Sequence, residues 1–399
     1  MKLILSQPGV RALVTFFTLY FAFIGIYAPY FTLYLDVRGF SAAEIGLLMS
    51  ALQALRIIGP YLWGWVADHT GQPTRVMRVT LVVATLSFMP IFSIPSWWGM
   101  LWLMAGLTLF SSGQVPLSEV LARQVLAEHY DQYGRLRLFG SLGFILAVWA
   151  LGPLLDHLGL STLPWWMMAC LLLLVCTNLT LPNPQVHHAD PQPIACWPLF
   201  RQPAVLWFVV SAICMIAAHS CLYIYFSLYL YDLGFSKSAI GGLWGLGVVA
   251  EVMLFYSQHR LLAKWSAYTM LRTCFFACAL RYGVVAYLGA TFAGQGRWTF
   301  SMTSWLMFSQ LLHALTFALH HTLTIRQIQH WFSGRAAARG QALYASLAYG
   351  LGGTLGGMLC TILWTNVSHP AVFSGSALLA LCGCYALYLS HQRQKRDAF

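Results

Sequence analysis

Charge is scarce in this sequence. Of its 399 residues only 8% are Asp, Glu, Lys or Arg, against about 25% in soluble proteins. A chain this poor in charge cannot cover its own surface with polar groups, so lipid is its solvent. Other chemistry is missing too. The ten cysteines lie mostly within apolar stretches and show neither zinc spacing nor a disulfide framework, and are read as inert buried thiols. His187 and His188 lack metal-ligand company. The glycine run "YGLGGTLGG" at Tyr349 follows no strand and lacks the lysine and Ser/Thr of a phosphate loop, so it reads as helix packing. No cleavable leader is evident, because "MKLILSQPGVRAL" breaks at Pro8 and Gly9. No appended soluble domain is expected. Neither an enzyme nor a bound metal or cofactor is expected.

Apolar length is what the chain has. It is 59% hydrophobic and 15% aromatic, with a mean hydropathy of +0.67. A spanning helix needs about 20 mostly apolar residues. Twelve such segments are read, at 11–35, 42–66, 77–95, 97–121, 137–156, 162–181, 203–231, 238–258, 267–289, 300–323, 340–364 and 371–391. The net charge of +11 comes from Lys and Arg dispersed in short breaks between them, which argues against a nucleic-acid partner. With the N-terminus inside, seventeen basic residues fall on the cytoplasmic side and three, Arg38, Lys237 and Arg297, outside. That asymmetry predicts cytoplasmic N and C termini in a bacterial inner membrane.

The chain also repeats itself. "YFTLYLDVRGFSAAEIG" from Tyr30 returns as "YFSLYLYDLGFSKSAIG" from Tyr225, at an offset of 195. A second echo sets Arg123 and Gln124 in "VLARQV" against Arg326 and Gln327 in "LTIRQI". A proline-rich break divides the copies, and repeated prolines forbid a regular helix there. The expected plan is an all-α membrane protein of two pseudo-symmetric six-helix bundles, 1–182 and 203–399, joined by a cytoplasmic linker at 183–202. Parallel repeats of this kind belong to transporters, with the substrate site expected between the halves near the bilayer midplane.

The loop "GWVADHTGQPTR" resembles the signature of the major facilitator superfamily, with Gly64, Asp68, Gly71 and Arg75 at the positions that matter. Two departures, His69 for a basic residue and Gln72-Pro73 after the glycine, imply a weaker inner gate. "PYFTLYLDVRGFSAAEIG", "RIIGPYLWGWVAD" and "YGRLRLFGSLGFI" resemble the phenylpropionate permease group more closely, near lactose permease and the nucleoside–proton symporters. The resemblance covers essentially the whole chain and implies the fold. It does not specify the substrate.

Ionisable residues inside spans are functional candidates by default. Glu251 in span 8 and Arg281 in span 9, on consecutive antiparallel helices, are the first pair expected to meet. The lactose permease resemblance adds His313 in span 10 and implies a proton-coupling network of the three, with a permanent structural ion pair as the alternative. Glu119 joins them as a second proton carrier, or as a gating ion pair with Arg123 or Arg137. His313, Thr316, Phe317 and His320 share one helical face. Arg56, opposite Glu251 in the repeat, is read as a clamp on a substrate carboxylate, a structural contact within its own bundle, or a latch to Glu251. Tyr27, Tyr30, His219, Tyr223 and Gln114 complete the expected substrate contacts, with helix packing as the alternative for the rings. Arg123, Arg135 and Arg137 are expected at the inner mouth.

Taken together, these residues point to proton-coupled symport of a small organic (aromatic) acid such as 3-phenylpropionate by a monomer. Proton-driven efflux of apolar compounds and symport of a neutral sugar or nucleoside remain open.

Overall fold

The computed structural model describes residues 8–93, 96–183, 197–292, 299–332 and 337–397. Most of the expected linker, including His187 and His188, lies outside these residues, as do Arg297 and Arg335. Among the described residues, eleven helices are long and apolar enough to cross a membrane: α1 Gly9–Val37, α2 Ala42–Thr70, α3 Pro73–Phe92, α4 Trp97–Tyr130, α5 Tyr133–Leu158, α6 Leu160–Thr180, α7 Pro203–Asp232, α8 Lys237–Lys264, α9 Ala267–Phe292, α11 Gly340–Asn366 and α12 His369–Arg396. Between α9 and α11 comes α10, built of Phe300–Leu311, Ala314–Leu319 and His320–Trp331. It is the expected tenth span, broken after Leu311 and more polar than the others. The protein is thus an all-helical, multi-pass membrane protein.

The sequence repeat becomes a repeated helix end. α1 and α7 both stop at a glycine in the left-handed region, Gly39 at φ 85° and Gly234 at φ 87°. In each case the next residue folds back. The Phe40 amide donates to Leu35 O at 3.1 Å, and the Phe235 amide donates to Leu230 O at 3.0 Å. This is a Schellman cap, which needs glycine at the turn and an apolar residue after it. Both phenylalanines are buried. The following serines then cap α2 and α8. Ser41 and Glu44 form a reciprocal capping box, and Ser236 Oγ accepts from the Ala239 amide.

Packing sorts the chain into two units. One holds the residues up to Phe40 and those from Ile58 to the end of α6; the other holds Ser41–Ile57 and α7 to α12. The second unit therefore includes the first half of α2, which the six-plus-six reading assigned to the first bundle.

Within the first unit α1 and α5 are in close approach. A Cβ at Gly143 would overlap the carbonyl of Thr18, and one at Gly25 would press on that of Phe144. The Tyr30 hydroxyl crosses the same interface to donate to Val148 O at 2.9 Å. Because the obstacle is backbone, no side-chain rotation relieves it. Gly143→Val is expected to cost about 1–3 kcal/mol or more by overpacking, read as a lowered melting temperature in detergent.

Within the second unit the glycines of α11 divide between two neighbours. Gly352 and Gly356 face α7 at Ile213 and Ala217, whereas Gly350, Gly353 and Gly357 face α2 at Ile57, Gln53 and Ser50. Tyr225 adds a hydrogen bond to Ala42 O at 3.0 Å, and Ser346 one to Ile57 O at 3.2 Å. Small residues let helix backbones approach where the surrounding solvent supplies no hydrophobic drive.

Candidate functional site: a buried Glu–His–Arg relay

Four helices of the second unit converge on one polar cluster. α9 supplies Arg281, whose side chain has no exposed surface. α10 supplies Gln310, His313 and Thr316, all buried. α8 supplies Glu251, and α7 supplies His219, buried to 1% exposure. His313 is the hub. Its Nε2 lies 2.6 Å from Glu251 Oε1, and its Nδ1 lies 2.7 Å from Arg281 Nη1. Arg281 Nη1 also reaches Thr316 Oγ1 at 3.3 Å, and Nη2 reaches Gln310 Oε1 at 3.0 Å. The space opposite the hub is kept by Gly247, where a Cβ would come 3.3 Å from His313 Cδ2.

The donor inventory assigns the protons. A guanidinium only donates, so His313 Nδ1 must accept from Arg281. The ring proton then sits on Nε2 and is donated to the Glu251 carboxylate. The imidazole is neutral and lies between a cation and an anion. The direct Glu251–Arg281 pair expected from sequence is thus realised as a three-member relay. His219 resolves in the same way: its Nδ1 lies 2.8 Å from Met215 O, which only accepts, so Nδ1 carries the proton and Nε2 receives the Thr316 hydroxyl at 3.2 Å.

The cluster is not built for stability alone. Arg281 Nε and Gln310 Nε2 are buried donors without partners among the described residues, each costing roughly 1–3 kcal/mol. Three π-helical stretches surround it: Leu222–Phe226 after His219, Ala314–Leu319 after His313, and Ser346–Gly352 in α11. Among the described residues none occurs in the first unit. Such turns are rare and often mark functional sites. The π stretch in α10 also decides which histidine follows His313 along its face. Phe317 stacks on His313 at 5.3 Å and on His321 at 6.5 Å, while His320 points edge-on to Phe275.

Arg56, on the half of α2 that belongs to this unit, is exposed and has no ion pair or hydrogen bond among the described residues. Tyr223, half-buried on α7, lies within electrostatic reach of Arg56 and also of Glu251 and Arg281. One phenol thus feels both the open cation and the relay. An apolar groove lined by Leu261, Met270, Leu315 and Leu319 lies along α8–α10 and carries no charged group.

Residues 10–374 match the MFS_1 like family. The chain belongs to that family. Among curated relatives, the "Probable 3-phenylpropionic acid transporter" of Escherichia coli is 30% identical over 92% of this chain and 93% of its own. The "Maltose permease" of Geobacillus stearothermophilus is 26% identical over 95% and 94%. A solved structure of the nucleoside transporter NupG superposes with a TM-score of 0.84 at 17% identity, covering 96% of this chain and all of that one; it bears on the fold alone. This MFS_1-like protein is a membrane transporter and not an enzyme.

The transporter's other sequence candidates sit in its first unit. Glu119 accepts the Tyr133 hydroxyl at 2.9 Å and lies 3.3 Å from Arg137. Both charged side chains are about two-fifths exposed, at 42% and 38%, so the pair is worth at most about 1 kcal/mol. Of the two partners expected for Glu119 in an ion pair, Arg123 and Arg137, the structure pairs it with Arg137. Arg137 also covers the ring of Phe21, and Arg123 that of Tyr130. Arg135 is exposed. In the signature loop Gly71 adopts φ 62°, a turn that favours glycine. Gly64 is half-buried, Asp68 is exposed with no ion pair among the described residues, and Arg75 is 3.3 Å from Gln72.

Two expected substrate contacts are otherwise engaged. Gln114 is fully buried. Its amide donates to Met77 O and Thr80 and accepts from Asn178, tying α4 to α3 and α6. Tyr30 is fully buried and committed to Val148. Both tie neighbouring helices together through these bonds. Tyr27 remains half-buried in a ring series with Phe23 and Phe31. Sequence reasoning missed Gln310 and Tyr349. Gln310, one turn before His313, had a helical signal; Tyr349 was hidden in the glycine run.

Proposed function

We propose that this transporter carries a small aromatic carboxylate, such as 3-phenylpropionate, into the cell together with a proton. Arg56 holds the carboxylate and Glu251 takes the proton. The observation that carries the reading is the buried Glu251–His313–Arg281 relay within one electrostatic neighbourhood of the open Arg56. The acid named in the 30% identical relative agrees with it.

The physical coupling is direct. Two carboxylates drawn into one dry site do not both stay ionised, so the binding of the anion and of the proton assist each other. A neutral Glu251 also frees the relay to rearrange, since His313 then donates to an uncharged partner. Alternating access follows from the six-plus-six repeat. The setting we propose is the bacterial inner membrane, with both termini cytoplasmic and the monomer as the working unit.

The test is proton movement in lightly buffered, de-energised cells given 3-phenylpropionate, cinnamate, benzoate, maltose or uridine. External alkalinisation with an aromatic acid supports the proposal. A response to maltose or uridine alone overturns the acid and keeps the symporter. Arg56→Gln is expected to raise the apparent KM for 3-phenylpropionate about 10- to 100-fold, the worth of a charge-assisted hydrogen bond, with Arg56→Lys in between. An unchanged KM in Arg56→Gln removes Arg56 from the site.

A further inference from the structure

A carrier that takes up a proton from one side must release it on the other, and the hub of the relay is closed to water. His313 is sealed at both nitrogens, by Glu251 and by Arg281. His219 is likewise engaged at both of its nitrogens. A second titratable pair lies further along the same helix. His321 is half-buried, and its Nδ1 lies 2.9 Å from the hydroxyl of Tyr349 on α11. It is eight residues past His313, about 12 Å along a helix axis, toward the end of α10 that the basic residues assign to the cytoplasm. Phe317 stacks between the two histidines and fills the gap with a ring that cannot carry a proton.

Tyr349 meets His321 from the neighbouring helix, α11. It lies within electrostatic reach of Glu251 and sits inside the π stretch Ser346–Gly352. That wider turn sets the phenol among these groups while the glycines around it hold α11 against α2 and α7. The ionisable groups around the pair are Tyr223 on α7, Glu251 on α8, His320 on α10 and Tyr344 on α11. Tyr344 is 1% exposed, so one side of Tyr349 is dry.

We propose that Tyr349 and His321 carry the proton from Glu251 toward the cytoplasm; this rests on the symport reading above. The protonated Glu251 carboxyl gives its proton to the Tyr349 oxygen as the Tyr349 hydroxyl gives its own to Nδ1 of His321. The imidazolium then sheds the proton on Nε2 to cytoplasmic water. One proton leaves Glu251, one reaches water, and Tyr349 ends as it began. Exchange with cytoplasmic water, which takes the Nδ1 proton and returns one to Nε2, restores the starting tautomer and the bond from Tyr349. No oxidant or reductant is needed.

The experiment compares net uptake with exchange, using radiolabelled 3-phenylpropionate and the full-length protein in proteoliposomes. Net uptake requires proton release inside; exchange of internal for external substrate does not. Tyr349→Phe keeps the ring and loses the hydroxyl, and His321→Gln keeps a polar side chain and loses the titration. Both are expected to slow net uptake about 10- to 100-fold, the scale of a positioned acid–base group, with exchange retained. The defect is expected to shrink as the internal pH is raised. Net uptake at the wild-type rate in both variants overturns the exit route. Equal loss of uptake and exchange also overturns it, because that is the mark of a structural or substrate contact. If wild-type protein moves 3-phenylpropionate without protons, the symport reading itself falls, an outcome distinct from either.

Discussion

Glu251→Gln is expected to abolish proton movement coupled to 3-phenylpropionate, a loss of at least about a hundredfold, while substrate exchange continues. The amide is nearly isosteric with the acid, and its oxygen still accepts from His313 Nε2. Geometry is therefore largely kept and only the exchangeable proton is removed. Glu251→Asp keeps the acid but shortens the reach to His313 beyond the present 2.6 Å, so partial coupling is expected. The measurement is the pH change on adding substrate to de-energised cells, with radiolabel exchange as the control. Wild-type alkalinisation in Glu251→Gln would move the proton site elsewhere, with Glu119 next in line.

The largest effect on stability is expected from Arg281→Met. Arg281 is wholly buried and joined to His313, Thr316 and Gln310. Removing it takes the cation from the Glu251–His313 chain, and losing one member of a buried charged network costs about 3–5 kcal/mol. Thermal unfolding in detergent should show the drop. The double variant Arg281→Met, Glu251→Gln should recover much of it, because the opposite charge is removed as well, and the cycle measures the coupling. Additive losses in the double variant would show that Arg281 and Glu251 are not coupled through His313.

Much of the architecture was legible along the chain. Low charge and long apolar runs demand spanning helices, because a lipid-exposed backbone must satisfy its hydrogen bonds within the segment. The offset of 195 sets Gly39 against Gly234, and the structure ends both helices there alike, since a Schellman cap is written in a few adjacent residues. The candidate acid, arginine and histidine were legible for a similar reason: an ionisable residue in an apolar run is conspicuous whatever its neighbours.

Tertiary structure decided how those groups meet. Whether Glu251 touches Arg281 directly or through His313 depends on the relative rotation of three helices, which no single segment encodes. A π turn inserts a residue's worth of rotation without any mark in composition, so the sequence face His313–His320 gave way to His313–His321. Gln114 and Tyr30 looked like site residues because polar atoms in a membrane span are rare. Packing assigned them to carbonyls of neighbouring helices, where a buried donor must find a partner. The sequence by itself settled that this chain crosses a membrane many times and carries a few costly charges. Only three-dimensional packing determined which of those charges share a proton, because hydrogen bonds form between helices and their geometry is set by every helix that packs around them.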